Sequence, residues 1–103
     1  MVSVFKFKNK VSEYDVTIFQ TPNYRDEKGY RAVYRLLVEA KNHEQALYET
    51  FRTFNIPDAM PDDYDARYLG TGDIVLIDEG KRGQTYYQLQ PGGWVKINRI
   101  HVR

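Results

Sequence analysis

Cysteine is absent from the 103 residues, so disulfides and thiolate metal sites are excluded. The same absence fits a reducing compartment. Serine is confined to Ser3 and Ser12, and neither stands in the glycine-flanked strand-turn-helix elbow that exposes a nucleophilic hydroxyl. Histidine occurs only as His43 and His101, too far apart for the short spacings that hold zinc. His43 is expected to be a solvated residue of a first helical turn, and His101 to lie in a fraying end. The opening MVSVFKFKNK lacks the apolar run of roughly 7–15 residues that a secretory signal needs, and nowhere do roughly 18 apolar residues follow one another. The expectation is a cytoplasmic protein without membrane insertion.

A phosphate cradle is also missing. The stretch GTGDIVLIDEGKRG runs four apolar residues into Asp78-Glu79, as nucleotide hydrolases do where they hold Mg²⁺. The matching cradle requires glycine, four residues, then Gly-Lys-Ser/Thr. Here Arg82 follows Gly80-Lys81, and Val75 occupies the place of the first glycine. An apolar run ending in acid and glycine is equally a buried strand entering a tight turn. Metal-dependent hydrolysis through Asp73, Asp78 and Glu79 therefore loses its main support. The aspartates at 58, 62, 63 and 65 fail the calcium-loop pattern, which needs glycine sixth and glutamate twelfth. They read as a solvated turn, and no cofactor or metal is expected.

What is present is enough for one domain: 42% hydrophobic and 15% aromatic content. From Glu13, EYDVTIFQTP alternates apolar Tyr14, Val16 and Ile18 with Asp15 and Thr17, then stops at Pro22. NYRDEKGY is a polar connection. RAVYRLLVEAK gives a second strand with Ala32, Tyr34, Leu36, Val38 and Ala40 on one face, and Arg31, Val33, Arg35, Leu37 and Glu39 on the other. Asn42 and Gln45 form a capping-box pair that opens a helix. Its stripe is Ala46, Leu47, Thr50, Phe51 and Phe54, and Pro57 ends it by Ile56 or earlier. PDAMPDDYDAR is a solvated link with one short helical turn. DIVLID, QTYYQLQ and WVKINRIHV then follow as strands, the first apolar on both faces and so central. The predicted fold is α+β, a single small domain of order β-β-α-β-β-β: a mostly antiparallel sheet with one main helix packed on it. Residues 1–11 form a basic leader and residues 12–103 the domain.

Net charge is only +1, but it is unevenly spread: residues 54–79 sum to −6 and residues 80–103 to +5. Nine tyrosines, five phenylalanines and one tryptophan exceed what a core of this size needs, and several tyrosines adjoin arginine. Most of these tyrosines read as sheet residues with the ring inside and the hydroxyl in water. Tyr24, Arg25, Arg82, Tyr87, Trp94, Lys96 and Arg99 stand out as candidate partner-binding residues, because exposed aromatics and arginines are the natural anchors of interfaces. The same basic, aromatic residues could stack bases and neutralise phosphate, which leaves nucleic acid as the alternative partner. No residue pattern points to catalysis.

Taken together, YDVTIFQTPNYR, GYRAVYRL, TGDIVLIDEG and YYQLQPGGWVKINRIH resemble the YodL family of endospore-forming bacteria. The likeness runs from Ser12 to Arg103 and leaves the leader VFKFKNK outside. It implies a small cytoplasmic protein of sporulation, not an enzyme, acting on MreB-type actin-like cytoskeletal proteins and through them on cell width and shape. Related modules inside larger proteins of mobile elements imply a nucleic-acid context instead. The family transfers no catalytic residues.

Overall fold

The apolar run Ile74–Asp78 is the middle strand of a five-stranded sheet, as its two-sided hydrophobicity predicts. A computed structural model describes residues 11–102, without the side chains of Ile100 and His101. The readings of the basic leader and of the His101 side chain therefore lie outside the described residues. In chain order the elements are β1 (Ser12–Gln20), β2 (Arg31–Ala40), α1 (His43–Thr53), β3 (Ile74–Asp78), β4 (Gln84–Gln90) and β5 (Gly93–Ile97). They assemble in the order β2-β1-β3-β4-β5 with every neighbouring pair antiparallel. The predicted α+β arrangement is the observed one. Among the described residues no helix is long and apolar enough to cross a membrane.

The helix begins where the capping pair sets it. Gln45 N–H donates to Asn42 Oδ1 at 2.8 Å, and Lys41 N–H donates to Gln45 Oε1 at 2.6 Å. The stripe then buries Ala46, Leu47, Thr50 and Phe54 against Val16, Ile18, Val38, Val75 and Ile77. Buried Thr50 satisfies its hydroxyl on Ala46 O at 2.7 Å. On the other face a smaller cluster of Ile74, Leu76 and Tyr86 is covered by Phe19, Tyr30, Ile97 and Val102. Both faces of β3 are thus sealed.

Two details depart from the sequence reading. Ile18 is paired with Tyr34 but Phe19 with Ala32, so Val33 is an extra residue in β2. This bulge reverses the alternation before it. Ala32 moves to the Phe19 face and Arg31 comes opposite Gln20, whereas strict alternation had put them the other way round. The last strand is also shorter than expected. It ends at Ile97, and Arg99–Val102 turns into a short 3₁₀ helix, so Arg99 is not part of the hairpin face. The turn between β3 and β4 is a 3₁₀ turn, Gly80–Arg82, closed by Gly83 at φ 112°, a conformation that favours glycine.

The segment joining α1 to β3 is tied down by a buried polar network. Asp73 accepts from Gly70 N–H at 2.9 Å, from Gln20 Nε2 at 3.0 Å and from Arg67 Nη2 at 3.3 Å. Burial pushes the Asp73 carboxyl above its ordinary range, against the pull of these three donors. Arg67 also donates to Thr21 O, and Tyr64 Oη donates to Arg67 O at 2.7 Å. Burial, and then the Asp73 carboxylate, push the Tyr64 phenol up to about 12.

Phe54→Ala should destabilise the fold by about 3–5 kcal/mol, since it empties the largest fully buried site. A fall in the urea midpoint with an unchanged slope would show it. Tyr64 carries an alkaline signature. Below the ordinary phenol value of 10.0 its raised pKa leaves stability intact, and as pH climbs from there to about 12 the unfolded chain loses this proton first, so stability is withdrawn. Tyr64→Phe should flatten the pH dependence of unfolding over that window. Equal alkaline slopes in both proteins would contradict the assignment.

Candidate functional site

His43, the first residue of α1, is not the solvated side chain that its sequence position suggests. The imidazole turns inward over the sheet and stands edge-on to the rings of Tyr14 and Tyr87, with centroids 5.5 and 5.8 Å away. Nε2 lies 2.8 Å from Glu79 Oε1, and Nδ1 lies 2.8 Å from Tyr87 Oη. A carboxylate only accepts, so Nε2–H donates to Glu79, and in that tautomer Nδ1 accepts the Tyr87 O–H. Burial, reinforced by the Glu79 charge, raises the Tyr87 phenol, which keeps it a donor. One cluster thereby locks the start of α1, the end of β3 and the middle of β4.

Beside this cluster is a half-open depression of about 290 Å³ lined by Glu44, Leu47, Tyr87 and Trp94. A Glu–His–Tyr chain can relay a proton in principle. Here both ring nitrogens are bonded to the chain's own groups, and the Tyr87 end of the cluster lines the depression. The carboxylates first weighed for metal chemistry are kept apart. Asp73 and Asp78 bracket the two ends of β3, Asp78 accepts from Gly80 N–H and Gln84 Nε2, and Glu79 is held by His43. Asp63 accepts the Tyr34 hydroxyl at 2.7 Å, and Asp58, Asp62 and Asp65 are exposed. Among the described residues no three metal-ligating side chains gather.

The seven residues singled out from sequence fall into two groups. Tyr24 and Arg25 lie in the loop after the Gln20 end of β1, where the Arg25 and Arg67 guanidiniums sit 5.8 and 5.7 Å from the Tyr24 ring centroid. Arg25 holds φ 72°, a left-handed conformation uncommon for a side chain of this size. The other five belong to the opposite margin. Tyr87 and Lys96 are directly paired across β4 and β5, and Trp94 packs half-buried against the main core. Arg82 precedes the start of β4, and Arg99 follows the end of β5. The three cations do not share one face: Lys96, opposite Tyr87, lies on the helix-bearing face, Arg82 lines a depression with Asp15 and Leu37 toward β1 and β2, and Arg99 opens the turn that carries Val102 onto the other face. All three cations are exposed, while the neighbouring acids Asp78 and Glu79 are occupied internally.

Sequence reasoning missed the His43–Glu79–Tyr87 cluster. His43→Asn and Glu79→Gln should each lower stability by about 1–2 kcal/mol, as expected for a part-buried hydrogen bond with a charged acceptor. The double variant should cost less than the sum, which a double-mutant cycle on urea unfolding measures. Strict additivity would dissolve the cluster as a unit.

Comparison with known proteins shows the family. The family model for the YodL-like domain matches residues 2–98, a span that takes in the basic N-terminal segment. The protein YodL of Bacillus subtilis (strain 168) is 55% identical over 103 residues, covering all of this chain and 97% of that protein. No solved structure matches. With a matching model over nearly its whole length and an end-to-end relative, the chain belongs to the YodL-like domain family.

Proposed function

We propose that the chain is a non-enzymatic interaction domain that binds an MreB-type actin-like protein in the cytoplasm and alters its assembly, with cell shape during sporulation as the setting. The partner class and the setting come from the family resemblance. The surface carries the rest. Arg82, Lys96 and Arg99 are exposed, and among the described residues none of them is in an ion pair, while Asp78 and Glu79, which line the same depression as Arg82, are already bonded elsewhere. Exposed cations of this kind raise the rate of encounter with an acidic face more than they add to final affinity. Exposed Val95, next to Lys96 in β5, adds apolar area at this edge.

The alternative, nucleic-acid binding, draws on the same cations but lacks a stacking platform in the hairpin. Tyr86 is buried, Tyr87 is held by His43, and Trp94 lies against the core.

Co-purification with an MreB-type protein tests the proposal. Arg82→Glu, Lys96→Glu and Arg99→Glu combined should cut the association rate by about tenfold or more and flatten its salt dependence. Unchanged capture would remove these cations from the mechanism, and no capture by the unaltered chain would remove the partner. Binding to a DNA or RNA probe that falls steeply with added salt would favour the alternative.

A further inference from the structure

Among the described residues β2 and β5 are the two unpaired edges of the sheet, and they are built differently. β5 is five residues long, starts at a glycine and carries Lys96 near its middle, all features that discourage another strand from pairing. β2 is ten residues long, and its bulge at Val33 leaves Tyr34–Ala40 in regular register. Along the face away from α1 this stretch presents Arg35, Leu37 and Glu39. The Arg35 side chain is 70% exposed and Leu37 is 61% exposed, in the middle of a strand.

We propose that β2 pairs antiparallel with β2 of a second copy of this chain, about a two-fold axis through Leu37. That register sets Leu37 against Leu37, and Arg35 of each copy against Glu39 of the other. On the helix-bearing face it sets Leu36 against Val38 and Tyr34 against Ala40. The alternatives are worse. Centring on Arg35 or on Glu39 opposes like charges, and centring on Leu36 leaves Arg35 facing Leu37.

Glu39 has a reason to accept such a partner. Within its own chain it lies directly opposite Glu13, a like-charge pair, and among the described residues no base bonds to it. Arg35 holds Asp15 through Nε at 2.8 Å and Nη2 at 2.5 Å, which leaves further guanidinium donors for a second carboxylate. A two-fold contact is self-complementary and closed, so it conceals the edge and stops at a dimer.

Analytical ultracentrifugation over a concentration series reads the association directly, with far-UV circular dichroism to verify that each variant is folded. The unaltered chain should be a dimer. Glu39→Arg and Arg35→Glu should each weaken self-association by about tenfold or more, since each opposes like charges. Mixed together, the two variants should pair with each other, because each supplies what the other lacks. A monomer at every concentration, or mixed variants that fail to associate, would overturn the proposal. The absence of native cysteine allows a second readout. Residues facing each other in antiparallel strands have Cα atoms about 4.5–5.5 Å apart, within disulfide reach. Leu37→Cys should form a covalent dimer under mild oxidation, and Glu39→Cys, which faces Arg35, far less. Equal cross-linking at both positions, or none at Leu37→Cys, would also refute the pairing.

Discussion

Burial of β3 on both faces is the constraint on which the rest of the structure depends. Ile74, Val75, Leu76 and Ile77 are all sequestered, and four apolar side chains pointing alternately up and down require a layer on each side. Above lies α1, whose stripe meets Val75 and Ile77. Below, the cover is thinner: side chains of neighbouring strands, with Tyr30 and Val102 folded across from loop and C-terminal turn. The backbone of a strand so placed must also be paired on both edges. β1 and β4 do this, and they leave β2 and β5 as the edge strands among the described residues.

Most of this architecture is legible in the sequence, for identifiable reasons. IVLI announces a central strand because nothing in it tolerates water, and Asn42 with Gln45 fixes the start of α1 through a contact three residues long. Local signals of this kind survive folding unchanged. The bulge at Val33 does not announce itself. RAVYRLLVEA alternates acceptably in either phase, and only the pairing with β1, where Phe19 falls opposite Ala32, decides which residues change sides. The end of β5 is similar: WVKINRIHV alternates onward, yet the pairing stops at Ile97 with Gln84 and Thr85 of β4 left unmatched, because the chain turns away into the 3₁₀ helix at Arg99.

The candidate sites divide along the same line. The exposure of Lys96 and Arg99 follows from their charge. The cluster at His43 joins residues 43, 79 and 87, and no spacing in the sequence links them. Its parts had ordinary individual explanations: a polar first turn, an acid after a strand, and a tyrosine in a sheet. A helix whose first residue turns an imidazole onto the sheet is a tertiary fact. It gives Asp78-Glu79 a role quite different from metal binding, with one acid closing a turn and the other orienting a histidine.

The two edges acquire a joint meaning when the proposals are combined. A dimer formed through β2 would be a continuous ten-stranded sheet, with a β5 margin at each far end. Nine inter-strand steps of about 4.8 Å separate those margins by about 43 Å, before sheet twist shortens the span. Each margin would carry its own Lys96 and, just past the strand, Arg99, and the two-fold axis would point these corners in opposite senses. A polymer of repeated subunits offers many copies of one acidic face, so a rigid bivalent binder can gain avidity without any new contact. It can also bridge two neighbouring filaments, and which of these occurs depends on whether the spacing of the corners matches the spacing of the faces. Such a binder would act on assembly rather than on the single subunit, since one corner alone provides only a weak, salt-sensitive contact.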